Sequence, residues 1–294
     1  KKSKSEHQYI KRIIALPKEK RFKPMKQSMF FRVLLKVASS FDLLAARFKC
    51  NKIGMEQLKS DEPCLVLMNH SSFIDLEIVA SVLFPRKFNI VATNDSFMGI
   101  MKWLMRLIGC IPTSKFVTDA RLIRDMIYCV NELKSSVVMY PEASYSFDGT
   151  ATPLPDSIGR FIKMLGVPVV MVRTYGAFSR QPLYNCLRKR KVQVTADMKC
   201  VLSAEDVAVK SADEINEIIN KEFDFDNFKW QQENKISIPD AERAEGLNRV
   251  LYKCPHCMTE SKMVGKGTTL TCEQCGKQYE LTEYGYLQAT DGDG

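Results

Sequence analysis

His70 and Asp75, five positions apart in the run Leu-Met-Asn-His-Ser-Ser-Phe-Ile-Asp (residues 67–75), are the side chains of this 294-residue chain whose types and spacing best suit acid–base chemistry. An apolar run ends at Asn69-His70, and Ser71 or Ser72 can cap a following helix, which puts Asp75 in its first turn. A carboxylate there can bond one imidazole nitrogen, fix the tautomer and strengthen the ring as a base. Of the three histidines, His7 lies in a basic N-terminal stretch and His256 between two cysteines, so His70 is the one candidate for a histidine base. A His-x4-Asp spacing arises by chance in roughly one chain in six at this composition, so the neighbouring residues must decide.

The elements that would position this pair alternate. The apolar runs 64–68, 88–93, 137–141, 167–172 and 192–196 read as strands, and helical periodicity falls near 75–84, 97–108, 118–134 and 157–165. Such alternation predicts an α/β domain with a parallel or mixed sheet flanked by helices. In such sheets functional groups gather where strands end. Two further junctions stand out: Gly-Cys-Ile-Pro-Thr-Ser-Lys (109–115), a short apolar turn ending in Lys115, and Tyr-Pro-Glu-Ala-Ser-Tyr-Ser (140–146), where Glu142 opens a polar turn containing Ser144.

Together these segments resemble the glycerolipid acyltransferases that include the lysophosphatidic acid acyltransferases. The family's hallmark is His-x4-Asp on a strand-to-helix loop. Residues 109–115 resemble its second block, residues 140–146 its third, usually Phe-Pro-Glu-Gly-Thr-Arg, and Gly166–Val172 its fourth, in the family's order. The resemblance implies direct acyl transfer from acyl-CoA or acyl carrier protein to a lysophospholipid, with His70 as general base and Asp75 orienting it. It further implies substrate contacts around Asn69, Glu142, Ser144 and Tyr145, with Lys115 at the acceptor phosphate. Where the family has arginine this chain has Tyr145, which can donate one hydrogen bond and carries no charge; Arg160 is the candidate to assist Lys115. This departure keeps two alternatives open, an acceptor that depends less on phosphate and a catalytically silent lipid-binding protein. A cysteine nucleophile is rejected, because Cys64, Cys110 and Cys129 sit in apolar runs where structural burial is the rule.

Charge and cysteine spacing add a front and a back to this domain. Residues 1–52 carry fifteen Lys/Arg against three Asp/Glu, leaving 28 basic and 31 acidic residues elsewhere, so the whole basic excess is local. Within 27–50, Phe30, Val33, Leu34, Val37, Phe41 and Leu44 recur at helical spacing. Such a helix suits packing on its own domain or, with its basic flanks, an anionic bilayer surface, and no stretch reaches the ~18–20 apolar residues of a span. The expected location is therefore peripheral, on the cytoplasmic face of a membrane. Cys254-x2-Cys257 and Cys272-x2-Cys275, fourteen residues apart, have the spacing of a four-cysteine zinc ribbon with a structural metal. Residues 250–294 hold four basic against six acidic residues, so no nucleic-acid partner is expected and a protein partner suits the ribbon better. The expected division is a membrane-binding arm (1–52), a catalytic domain (53–234, ending in a solvent-facing helical stretch from 203), a linker (235–250) and the ribbon (251–294).

Overall fold

The computed structural model describes residues 23–94, 97, 101–114 and 120–291. Four of the apolar runs become strands β2 (Leu65–Met68), β3 (Phe88–Thr93), β5 (Ser136–Met139) and β6 (Val169–Tyr175), whereas the run 192–196 overlaps only the first two residues of β7 (Thr195–Leu202). Two edge strands join them, β1 (Lys49–Ile53) and β4 (Cys110–Thr113). The order is β1-β7-β6-β2-β5-β3-β4, parallel from β6 to β4, with β7 antiparallel to β6. The sheet is thus mixed, as expected. β1 had no sequence signal because Lys-Cys-Asn-Lys-Ile is exposed almost throughout. The supposed turn around Cys110 is a strand, and its Pro112 is tolerated because edge strands leave one row of N–H groups unused.

Central β2 shows why both faces are covered. Val66 and Met68 point into one cluster with α2 (Ile74–Leu83), while Leu65 and Leu67 point into another with α4 (Ala120–Asn131), α5 (Ile158–Leu165) and α8 (Ala212–Phe223). The period of two divides one short strand between two cores. The short helices α3 (Met101–Leu107), α6 (Ala177–Arg180), α7 (Ala204–Val209) and α9 (Asn227–Glu233) complete the layer. The stretch after 203 is less solvent-facing than its charge suggests, since Ile215, Ile219 and Phe223 of α8 are buried.

The amphipathic segment is a single helix, α1 (Met29–Ala45), capped by the Ser28 hydroxyl, and it packs along α2. Phe31, Leu35 and Leu43 face the core, whereas Phe30, Phe41 and Leu44 are 69%, 76% and 76% exposed. Its Asp42 receives Arg180 at 2.8 Å and Lys189 at 2.9 Å, which ties α1 to the β6–β7 connection.

The C-terminal unit is a four-stranded antiparallel sheet, β8 (Met263–Lys266), β9 (Thr269–Cys272), β10 (Gln278–Leu281) and β11 (Leu287–Ala289). Residues 235–250 do not stand off between units: Ala244 and Leu247 join Phe178, Tyr184 and Leu281 in one buried cluster. Tyr184 Oη donates to Arg243 O, Ile238 N to Glu283 O and Ala244 N to Gly267 O.

Asp42 shares its cluster with Glu77 of α2. Burial works to raise the Asp42 carboxyl, but Lys189 and Arg180 outweigh it and hold it below the usual range. Burial and then the Asp42 charge push Glu77 up from 4.5 to about 7. Between those values the folded protein keeps a proton that the unfolded chain has lost, so this contribution to stability disappears as pH rises. Glu77→Gln, which stays neutral, is expected to lose less thermal stability than the unsubstituted protein between about pH 5 and pH 8. Parallel melting curves across that range check this, and equal losses would show that Glu77 is not the titrating group.

Candidate active site

The residues of interest meet at the carboxyl ends of three adjacent strands, β6, β2 and β5. The chain leaves β2 through α2 on one face and β5 through α5 on the other, so their loops diverge and open a crevice. After Met68 the backbone turns sharply and re-enters a helix at Ile74, with Asp75 in the first turn. Asp75, 1% exposed, folds back over this loop: one carboxylate oxygen accepts from Ser71 N at 2.7 Å, Ser72 N at 3.0 Å and His70 Nδ1 at 3.0 Å. An acceptor that holds Nδ1–H leaves the lone pair on Nε2.

Backbone contacts fix the rest of His70. Its N–H donates to Glu142 Oε2 at 2.8 Å, its carbonyl accepts from Ser146 N at 2.7 Å, and Glu142 Oε1 accepts from Thr152 N at 2.9 Å. Glu142 thereby joins the loops after β2 and β5. Burial raises its pKa, an effect moderated by the Thr152 and His70 amides. Asn69 is also buried. Its carbonyl oxygen accepts from Thr174 N at 2.8 Å and its amide donates to Thr174 O and Ser71 Oγ, which anchors the loop to β6.

Two aromatic rings lie against the imidazole. Tyr140 stacks at 4.0 Å between centroids with planes 21° apart, and Tyr145 lies at 4.2 Å with planes 42° apart. Tyr145 also meets Phe73 edge-on at 5.6 Å. The turn that carries it over the ring needs Ala143 at φ +60°, a conformation that costs a non-glycine residue about 1–2 kcal/mol. Ser144 sits half-buried within that turn.

The structure therefore brings Asn69, His70, Asp75, Glu142 and Tyr145 together, while Ser144 shares the turn of Tyr145 and, among the described residues, no hydrogen bond joins it to the His70 group. Arg160 is exposed in the first turn of α5, whose packing lies on the sheet face opposite α2, and among the described residues no hydrogen bond joins it to the His70 group. Lys115 lies outside the described residues. Sequence reasoning passed over Tyr140, whose position beside Pro141 in the third block was the available signal, and Thr174, two residues beyond the fourth block. Burial pushes the Cys110 and Cys129 thiols up to about 12 and raises Cys64, so none of them is a ready thiolate.

In the C-terminal unit the sulfurs of Cys254, Cys257, Cys272 and Cys275 all lie within 4.8 Å of one another, with two separations of 3.7 and 3.8 Å. Four thiolates at about 2.3 Å from a tetrahedral zinc stand roughly 3.8 Å apart, so the group fits that ion.

Residues 49–174, from β1 to nearly the end of β6, match the family model described as Acyltransferase. A chloroplastic 1-acyl-sn-glycerol-3-phosphate acyltransferase of Brassica napus is 30% identical over 139 residues, 46% of this chain and 40% of that protein. A chloroplastic counterpart from Arabidopsis thaliana is 30% identical over 139 residues, 46% of this chain and 38% of that one. The chain thus spans about two fifths of the length of these curated relatives. The crystal structure of the 1-acyl-sn-glycerophosphate acyltransferase PlsC from Thermotoga maritima superposes with a TM-score of 0.53 at 15% identity, covering 65% of this chain and 76% of that one, which shows a shared fold.

Proposed function

We propose that this protein moves a fatty acyl group from a thioester donor, acyl-CoA or acyl carrier protein, to the free hydroxyl of a lysophospholipid, 1-acylglycerol-3-phosphate. The observation that carries the proposal is the His70–Asp75 pair, held at the carboxyl end of the central strand inside the segment that matches the acyltransferase model. With Nδ1 engaged by Asp75, Nε2 removes the acceptor's hydroxyl proton as its oxygen attacks the thioester carbonyl. The tetrahedral intermediate collapses with cleavage of the C–S bond, and the imidazolium returns the proton to the departing thiolate. Positioned acid–base help of this kind is worth ~10²–10⁴ in rate. Glu142 organises the loops and does not react, since both of its oxygens already hold backbone amides. Lys115, with Arg160 in support, takes the acceptor phosphate.

The outer face of α1, with Phe30, Phe41 and Leu44 exposed, lies on the bilayer that holds acceptor and product, at its cytoplasmic face. Basic residues of the preceding arm add about 1 kcal/mol each near anionic lipid. Among the described residues no helix is long and apolar enough to cross a membrane. The four cysteines hold a structural zinc, and the unit they close is a docking element for a protein partner. Tyr145 in the place of the motif's arginine favours a second reading, in which the acceptor depends less on phosphate.

Labelled acyl-CoA and acyl carrier protein, offered with 1-acylglycerol-3-phosphate and a phosphate-free acceptor, test the proposal. Transfer to the phosphorylated acceptor is expected to fall at least 100-fold in His70→Ala, on the order of the loss of one acid–base group. Better use of the phosphate-free acceptor would support the second reading. No transfer to either acceptor, with lipid binding retained, would leave a lipid-binding protein. For the metal, one equivalent of zinc per chain is expected by elemental analysis, and a chelator strong enough to remove it should unfold the C-terminal sheet, because a unit with so small a core folds on its metal. Metal-free protein with that sheet intact would refute the zinc assignment.

A further inference from the structure

His70 is covered on both faces. An imidazole has two faces, and rings with centroids 4.0 and 4.2 Å away fill one each, so Tyr140 and Tyr145 hold it between them. Its Nδ1 is on Asp75, its amide on Glu142 and its carbonyl under Ser146 N. What remains open is the ring edge that carries Nε2, and the side chain keeps 21% of its surface exposed. Both tyrosines depart from the pattern of the third block, which has phenylalanine at the position of Tyr140 and arginine at that of Tyr145. Two of the block's four departures therefore fall on the two residues whose rings touch the imidazole. The Tyr140 hydroxyl is buried and has no hydrogen-bond partner among the described residues.

The geometry points to Tyr140 and Tyr145 as positioning residues, an aromatic clamp that fixes the His70 ring and restricts the acceptor hydroxyl to the Nε2 edge. The inference rests on the acyl-transfer reading and gives Tyr140 and Tyr145 a role in the proton transfer, which that reading assigns to His70 and Asp75 alone. One stacked and one tilted ring, both within 4.2 Å between centroids, restrict the rotation about the Cβ–Cγ bond that a single hydrogen bond to Asp75 would permit. When Nε2 takes the hydroxyl proton, the new positive charge lies between two electron-rich π faces, an arrangement that favours a cation within about 6 Å. Tyr145 thus replaces a guanidinium that would bind acceptor with a ring that acts through His70. Its loss should appear in turnover and not in acceptor binding.

The test compares Tyr145→Leu, Tyr145→Phe and Phe73→Leu with the unsubstituted protein. The readouts are kcat, the acceptor KM for 1-acylglycerol-3-phosphate, and the NMR shifts of the His70 ring protons, identified by their absence in His70→Ala. A misplaced reacting group costs on the order of 10- to 100-fold, so Tyr145→Leu is expected to lower kcat by about that much with KM changed less than about threefold. Tyr145→Phe keeps the ring and should retain kcat within about threefold, an allowance for the lost hydroxyl. The His70 ring protons, shifted upfield by the two ring currents, should move downfield in the leucine variant and stay in the phenylalanine variant. Should Tyr145→Leu fail to fold, Phe73→Leu removes the ring behind Tyr145 from an exposed position and is expected to move both readouts in the same direction by less. An acceptor KM that rises equally in the leucine and phenylalanine variants would overturn the inference in favour of a substrate-binding hydroxyl, as would unmoved ring protons or an unchanged kcat in Tyr145→Leu. Failure of the acyl-transfer reading shows itself separately, as absence of turnover in the unsubstituted protein; it would end the clamp's part in catalysis while the ring-proton shifts still reported whether the clamp exists.

Discussion

One oxygen of Asp75 accepts three hydrogen bonds, from the amides of Ser71 and Ser72 and from the His70 ring, in a place with almost no access to water. A buried carboxylate is tolerated only when its charge is met by donors, and breaking such an arrangement costs more than making it gains. The loop between β2 and α2 must therefore curl around that oxygen, and the imidazole is carried with it. Asn69 fixes the start of the loop to β6 through Thr174, and Glu142 fixes its middle to the loop after β5. Three neighbouring strands thus hold one histidine through backbone, carboxylate and ring contacts at once. The left-handed turn at Ala143 is retained where it swings Tyr145 over the ring, the kind of place where local strain persists.

The flanking parts are joined to this centre by buried charge and not by loose tethers. Asp42 on α1 meets Arg180 and Lys189 from the β6–β7 connection, and the same connection supplies Tyr184, against which Ala244, Leu247 and Leu281 pack. Arg190, 5% exposed, donates to Tyr184 Oη and to the carbonyls of Glu242 and Arg243. A continuous set of contacts therefore runs from the helix proposed to face the bilayer to the sheet that carries the four cysteines.

Much of this was legible in the order of residues. Short continuous apolar runs marked β2, β3, β5 and β6 because a strand buried on both faces has few other sequences open to it. His70 and Asp75 were legible because a helix N-terminus fixes a five-residue separation locally. The cysteine pairs were legible because tetrahedral geometry constrains their spacing. Where contact depends on residues far apart in sequence, the signal disappears. The bond of Asn69 to Thr174 spans 105 positions and leaves no local pattern. The edge strand β1 lacks a signal because it is exposed almost throughout, and the four residues of β4, two of them buried in succession, are too few to alternate around Pro112. Ile238, Ala244 and Leu247 are buried at irregular spacing in a polar stretch, which therefore resembled a linker. The tyrosine clamp was hidden because the turn behind it uses alanine where a left-handed position would normally show glycine.

The central claim is that Asp75 holds His70 with Nε2 free to take a proton. Nitrogen-15 NMR of the ring, recorded in the unsubstituted protein at a pH where the ring is neutral, tests it directly, because the protonated and unprotonated nitrogens resonate far apart. The account predicts that Nδ1 carries the proton and Nε2 the lone pair, with Asp75→Asn altering that preference. A neutral ring protonated at Nε2 would contradict it, since His70 would then have no base to offer an incoming hydroxyl.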